Sequence, residues 1–229
     1  MKMLNSILKS NPWRKVADDW FVKMQDGGIG FEFVLPDDKG ELAKARAKYK
    51  TNVPPQPFVG HPSSPIWLVM KNPGVGPWDE CDLLNGQSGL SKSDQIHATE
   101  MADAGLLRRK ELYRDQLKLA DKSDSAFSLL DASFDTAKRK GGRKPRNTYL
   151  WYRRYLLSRT GLLSPFVDVD DPVGSSRFVS RNLFALDFVP YRSKSFEDEN
   201  LRFAHGLFWR KLMRYGLANK TVVFWGSRF

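Results

Sequence analysis

Ile66-Trp67-Leu68-Val69-Met70-Lys71-Asn72-Pro73-Gly74-Val75-Gly76 runs five apolar or aromatic residues straight into an Asn-Pro-Gly turn. A continuous apolar run bounded by turn residues predicts a strand buried on both faces, as in parallel sheets. Such a strand delivers its following loop to the carboxyl end of the sheet, where open α/β folds bind ligands. The turn after Met70 is therefore the first candidate for chemistry.

Two later segments share this design. Arg181-Asn182-Leu183-Phe184-Ala185-Leu186-Asp187-Phe188-Val189 breaks at Pro190-Tyr191-Arg192-Ser193, and Thr221-Val222-Val223-Phe224-Trp225-Gly226 reads as a third buried strand. Helical patterns separate them. Asp94 caps a stripe running to about Leu119; Leu150, Trp151, Tyr155 and Leu156 share a face between Asn147 and Thr160; and a helix is expected from about Phe196 to Tyr215, ended by Gly216. Strands alternating with helices predict an α/β fold: a three-layer α/β/α sandwich on a short parallel central sheet with right-handed crossovers.

Residues 1–60 are more mixed. An aromatic, amphipathic start around Trp13, Trp20 and Phe21 is followed by an alternating Phe31-Glu32-Phe33-Val34, a short strand by pattern. Glu41 to Lys50 has helical composition and is stopped by Pro54-Pro55-Gln56-Pro57, because proline lacks the amide proton and restricts its neighbour. This region is expected to be an N-terminal elaboration packed on a main domain of residues 61–229.

The chain has 229 residues, 41% hydrophobic, with 37 Lys and Arg against 26 Asp and Glu, for a formal charge of +11. A core of ordinary size is available, and the positive charge favours a polyanion, nucleic acid first among the candidates. One cysteine, Cys81, excludes an intrachain disulfide, and with three histidines it excludes a standard structural zinc site. Asp168, Asp170 and Asp171 lack the spacing and closing glutamate of a calcium loop and read as a surface turn. No dinucleotide fingerprint or phosphate-loop lysine motif occurs, so neither metal nor cofactor is expected. No apolar stretch approaches the roughly 18 residues of a membrane span, and the start is too soon interrupted for a signal peptide; a cytoplasmic protein is expected.

A strand ending in Asn-Pro-Gly, a later strand ending in Asp187 before Val-Pro-Tyr-Arg, and a third reading Val-Val-Phe-Trp-Gly together resemble the uracil-DNA glycosylase superfamily. The likeness is closest to the mismatch-specific and single-strand-selective branches, and it covers about residues 65 to 229. The resemblance implies base excision by a monofunctional DNA glycosylase, with Asn72 orienting the attacking water. Chemistry supplies a reason: an amide accepts through oxygen and donates through nitrogen, Pro73 fixes the turn, and Gly74 lets backbone amides approach a nucleotide. Lys71, Trp78, Asp187, Pro190, Tyr191 and Arg192 complete the expected substrate-binding set, Trp78 and Tyr191 as stacking platforms. Lys138, Arg139, Lys140, Arg143, Lys144 and Arg146 form a glycine-interrupted basic loop suited to phosphates.

Two departures alter this expectation. Where the family presents an asparagine to uracil, this chain has Asp187. An ionised carboxylate only accepts hydrogen bonds, so it suits an exocyclic amine, as in cytosine or adenine, or it serves a turn or an ion pair with Arg192. The family's His-Pro-Ser-like segment follows the third strand, and this chain ends at Phe229. Either the natural chain continues or the scaffold is degenerate there, which leaves a non-catalytic nucleic-acid-binding or regulatory protein as the alternative. His61-Pro62-Ser63 has the right letters ahead of the first strand, as an out-of-order substitute or a plain turn.

Overall fold

Phe184, Ala185 and Leu186 sit at the middle of the central sheet, with strands on both sides and apolar side chains on both faces. In the computed structural model, the described residues are 2–25, 32–45, 49–51, 55, 57–71, 114, 115, 117–119, 161, 163–168, 170–193, 202, 203 and 205–225. Within them the elements run α1 (Lys2–Lys9), α2 (Trp13–Gln25), a 3-10 turn (Pro36–Asp38), α3 (Lys39–Lys44), β1 (Tyr49–Lys50), β2 (Phe58–Gly60) and β3 (Ile66–Met70). After the undescribed middle come a 3-10 turn (Ser164–Phe166), α4 (Pro172–Asn182), β4 (Leu183–Asp187), β5 (Arg192–Ser193), α5 (Gly206–Asn219) and β6 (Thr221–Phe224).

The fold is mixed α/β. Four strands are ordered β2-β4-β3-β6, and β1 pairs with β5 in a separate antiparallel ribbon. The three apolar runs singled out by sequence form β3, β4 and β6, and they are parallel: Ile66 lies beside Leu183 on one side and Thr221 on the other. The all-parallel sheet needs one correction. Phe58-Val59-Gly60 adds an antiparallel strand along β4, so the sheet is mixed. These three residues belong to the stretch read as an outlying elaboration, yet they are hydrogen-bonded into the central sheet.

Alternation sorts the side chains onto two faces. Phe58, Trp67, Val69, Phe184 and Leu186 point to one, where they meet Leu4, Ile7 and Leu8 of α1, Trp13 and Ala17 of α2, and Phe208, Leu212 and Met213 of α5. Val59, Leu68, Leu183 and Ala185 point to the other, against Val179 of α4 and against Leu163, which precedes the second 3-10 turn. The expectation of a buried third strand is corrected in degree: β6 is an edge strand among the described residues, and Phe224 at its end is 48% exposed.

Several element boundaries also move. Of the helix expected from Phe196, the described part runs Gly206–Asn219; Arg202 and Phe203 are not helical, and the Arg202 amide donates to a Glu41 carboxylate oxygen (3.0 Å), while residues 196–201 lie outside the described residues. Gly216 does not end that helix. It lies inside, buried against Trp67, where an added Cβ would come within 2.6 Å of the indole Cε3. Arg181 and Asn182 belong to α4, not to the strand, and Asn182 Nδ2 donates back to the Phe178 carbonyl (2.9 Å). The α4 start is capped by Asp171, whose Oδ1 accepts the Gly174 amide (3.0 Å) with Pro172 in the first turn, where no amide proton is needed. Asp168, Asp170 and Asp171 form the exposed turn before it.

In the N-terminal part, α3 stops at Lys44, and Tyr49 and Lys50 pair with β5 instead of prolonging the helix to residue 50. Glu32 to Val34 is not a strand; Phe33 is buried edge-on to Trp20 (5.3 Å), and its amide donates to the Thr51 carbonyl (2.7 Å). Arg114, Asp115, Leu117 and Lys118 are helical, and Leu119 at φ 47° marks the end of the helix expected from Asp94. The rest of that helix and the one expected at 147–160 lie outside the described residues.

Candidate functional site

β3 and β4 run in the same direction in register, so both carboxyl ends arrive at one edge of the sheet with Met70 directly beside Asp187. The chain beyond each strand stays stitched to the other. Phe188 N donates to the Met70 carbonyl (2.8 Å) and Val189 N to the Lys71 carbonyl (2.7 Å). On the flanks, Asp187 N donates to the Pro57 carbonyl (2.9 Å) and Trp225 N to the Val69 carbonyl (2.8 Å). Lys71 is held by its carbonyl next to Val189, and Asn72 follows it in the chain. Asn72, Pro73, Gly74 and Trp78 themselves lie outside the described residues, as do Lys138, Arg139, Lys140, Arg143, Lys144 and Arg146.

Asp187 is 0% exposed. Alternation along β4 puts its side chain on the face of Leu183 and Ala185, the face that Met70 also borders. It therefore lies beneath the strand tips rather than on their surface. Pro190 is buried as well, and the backbone of Arg192 pairs with Lys50 in the small ribbon.

Tyr191 requires a correction. Only 1% exposed, its ring is lodged between Trp13 (5.7 Å, edge-on) and Phe203 (5.3 Å). Its hydroxyl donates to Asp38 Oδ2 at 2.5 Å and accepts the Leu35 amide at 3.2 Å. Burial, and then the hydrogen bond to Asp38, hold its ionisation far above the usual tyrosine range. This residue is a buried tie between the segment after β4 and the N-terminal part, and no face of it is offered to a base.

His61-Pro62-Ser63 is corrected by position. It follows β2 and precedes β3, at the amino ends of the parallel strands, whereas the candidate site lies at the carboxyl ends. The five residues of β3 separate the two by about 13 Å at the usual strand rise. Its ring is used locally: Nδ1 is the acceptor for the Ser63 amide (3.2 Å) and lies 2.6 Å from Ser63 Oγ. The segment is a turn, and its Ser63 carbonyl accepts from Lys220 Nζ (2.6 Å).

Three residues at the strand tips carry no signal in the sequence. Phe188, 45% exposed, stands at the mouth and meets the Trp209 ring edge-on at 5.2 Å. Behind it, His205 Nε2 donates to the Phe188 carbonyl (3.0 Å), which fixes the tautomer because a carbonyl can only accept. His205 is 3% exposed, and Nδ1 has no hydrogen-bond partner among the described residues. Burial overrides the Phe188 hydrogen bond and pushes this imidazole down to about 4 from its ordinary 6.5, so it is neutral at pH 7. Reading the apolar run through Val189 as strand hides Phe188, because the strand ends at Asp187 and the next residue turns out to solvent.

No group of three His, Cys, Asp or Glu suited to a metal occurs among the described residues, and none of their helices is long and apolar enough to cross a membrane. The sequence matches no family model, no curated protein and no solved structure.

Proposed function

We propose that this protein recognises a nucleobase of DNA at the strand tips following residues 71 and 187, on a three-layer α/β/α scaffold resembling uracil-DNA glycosylases, and hydrolyses its N-glycosidic bond. The observation that carries the reading is the parallel register of Met70 with Asp187. It sets Lys71, the residue that precedes Asn-Pro-Gly in the chain, beside the end of β4, which supports a site shared by the two segments. In this scheme Asn72 orients water toward the sugar carbon, Pro73 and Gly74 shape the turn, and Lys71 offsets charge on the departing base. The Asp187 carboxylate accepts from an exocyclic amine, after the base has displaced the atoms that cover it.

A second reading is favoured by the burial of Asp187. A carboxylate sealed beneath the tips does not meet a base edge, and the scaffold then binds nucleic acid without excision. One experiment separates the two. Oligonucleotides carrying a mismatched cytosine or adenine, with uracil, hypoxanthine and xanthine as bases that lack the exocyclic amine, are incubated with the protein and treated with alkali. Strand breaks that vanish in Asn72→Ala support excision; salt-sensitive binding without breaks supports the binding protein; breaks that persist unchanged in Asn72→Ala overturn the assigned role of this residue.

A further inference from the structure

Arg210, Lys211 and Arg214 occupy the middle of the outward face of α5, between the exposed Leu207 and Leu217. Phe208, Leu212, Met213 and Gly216 are buried, while Arg210, Lys211 and Arg214 are exposed, and the helix contains no Asp or Glu. Beside it, α1 buries Leu4, Ile7 and Leu8 in the same apolar cluster, exposes Lys2 and Lys9, and again contains no acid. None of these five cations has a carboxylate partner among the described residues. Elsewhere Lys15 pairs with Asp19, Lys39 with Glu32, Lys44 with Glu41, Arg114 with Asp115 and Lys118 with Asp18, while Arg14 and Arg181 stand singly without such a pair among the described residues. Like charges left together repel one another, and a polyanion relieves that repulsion while releasing its counterions.

The position of this face adds a second argument. The ring of Phe188, exposed at the strand tips, touches Trp209, and Arg210 is the next residue of α5. Arg214 lies one helical turn further, about 6 Å along the axis. An exposed aromatic ring leading into a cationic track is the combination that holds single strands, bases by stacking and phosphates by charge. An anionic membrane fits less well. A helix that enters lipid uses a continuous apolar face, and here that face, Phe208, Leu212 and Met213, is committed to the core, leaving only Leu207 and Leu217 exposed on either side of the cations.

We propose that a single-stranded nucleic acid lies along the outward face of α5, with a base on Phe188, phosphates on Arg210, Lys211 and Arg214, and Lys2 and Lys9 extending the track. The seat of the base beside the strand tips rests on the nucleobase reading above; the phosphate track rests on the charges alone.

The test is fluorescence anisotropy with a labelled, undamaged oligothymidylate across a salt gradient. Replacing Arg210, Lys211 and Arg214 together by alanine should weaken binding and reduce the slope of log K against log salt by about 2, at roughly 0.7 per phosphate contact on a single strand. Phe188→Ala should weaken binding about tenfold at fixed salt with the slope unchanged. The single reversal Arg214→Glu, with melting temperatures of all variants, guards against misfolding. An unchanged slope and affinity in the triple variant, no oligonucleotide binding by the wild type, or binding to phosphatidylglycerol vesicles in its place would overturn the proposal. Failure of the excision reading shows differently: no alkali-labile breaks while the triple variant still loses its slope. Breaks together with an unaltered slope would remove the track and leave excision standing.

Discussion

Acidification should destabilise the fold through His205. In the folded chain this imidazole stays neutral down to about 4, whereas an unfolded histidine takes up its proton near 6.5. Between those values the unfolded state binds more protons, so unfolding free energy rises with pH across this window. The contribution is complete above pH 6.5, is lost progressively as pH falls, and stops changing below about pH 4. A displacement from 6.5 to about 4, at about 1.4 kcal/mol per unit, amounts to about 3 kcal/mol. That is a large share of the roughly 5 to 15 kcal/mol of a typical domain. Urea denaturation of the wild type and His205→Gln at pH 7, 6, 5 and 4 isolates the effect. Glutamine keeps a donor for the Phe188 carbonyl and does not titrate, while the carboxylates contribute equally to both proteins. The stability difference between the two should shift by about 3 kcal/mol from pH 7 to pH 4, against the wild type. Parallel curves, or a His205 ring-proton titration with its midpoint near 6.5, would refute the assignment.

Three further perturbations follow from packing and capping. Gly216→Ala gains about 1 kcal/mol in helix propensity but drives a methyl into Trp67, which is fixed by its Ser64 carbonyl bond and by Phe184; a net loss of about 1 to 2 kcal/mol is expected in urea, and equal or higher stability would contradict the close approach. Tyr191→Phe leaves the Asp38 carboxylate without its hydroxyl and the Leu35 amide without an acceptor, for a loss of about 2 kcal/mol. In the folded wild type, alkaline absorbance titration should show Tyr191 silent until the protein unfolds. Asp171→Ala removes the cap on α4 and should lower stability by about 1 kcal/mol, with Asp171→Asn nearly neutral by the same denaturation assay.

The three parallel strands were legible because each is an uninterrupted apolar run ending in turn residues, a local signal. β2 was not, since Phe58-Val59-Gly60 is too short and too close to the proline cluster to stand out, and its antiparallel direction is decided by β4. α4 was hidden by Gly174, Ser175 and Ser176, weak helix formers whose helix depends on the Asp171 cap and on burial of Val179. Gly216 read as a helix stop because glycine commonly is one; its reason here is a tertiary contact with Trp67. At the candidate site, strand logic brings the loops after the apolar runs to the carboxyl edge of the sheet, where Met70 lies beside Asp187. The inward turn of Tyr191 and the placement of His205 depend on which residues the distant N-terminal segment supplies, Trp13 and Asp38 among them, and the outward turn of Phe188 is set against Trp209 and His205 further along the chain.

The order of the strands has a consequence during synthesis. β3 leaves the ribosome early, yet both of its neighbours, Leu183–Asp187 and Thr221–Phe224, are translated much later. Until they emerge, Trp67, Leu68 and Val69 have no sheet to join, and the nascent chain carries its stickiest stretch uncovered. Long-range pairing of this kind makes folding slow and leaves intermediates prone to aggregate. Yield on overexpression should therefore respond more to temperature and chaperone supply than to changes at the surface.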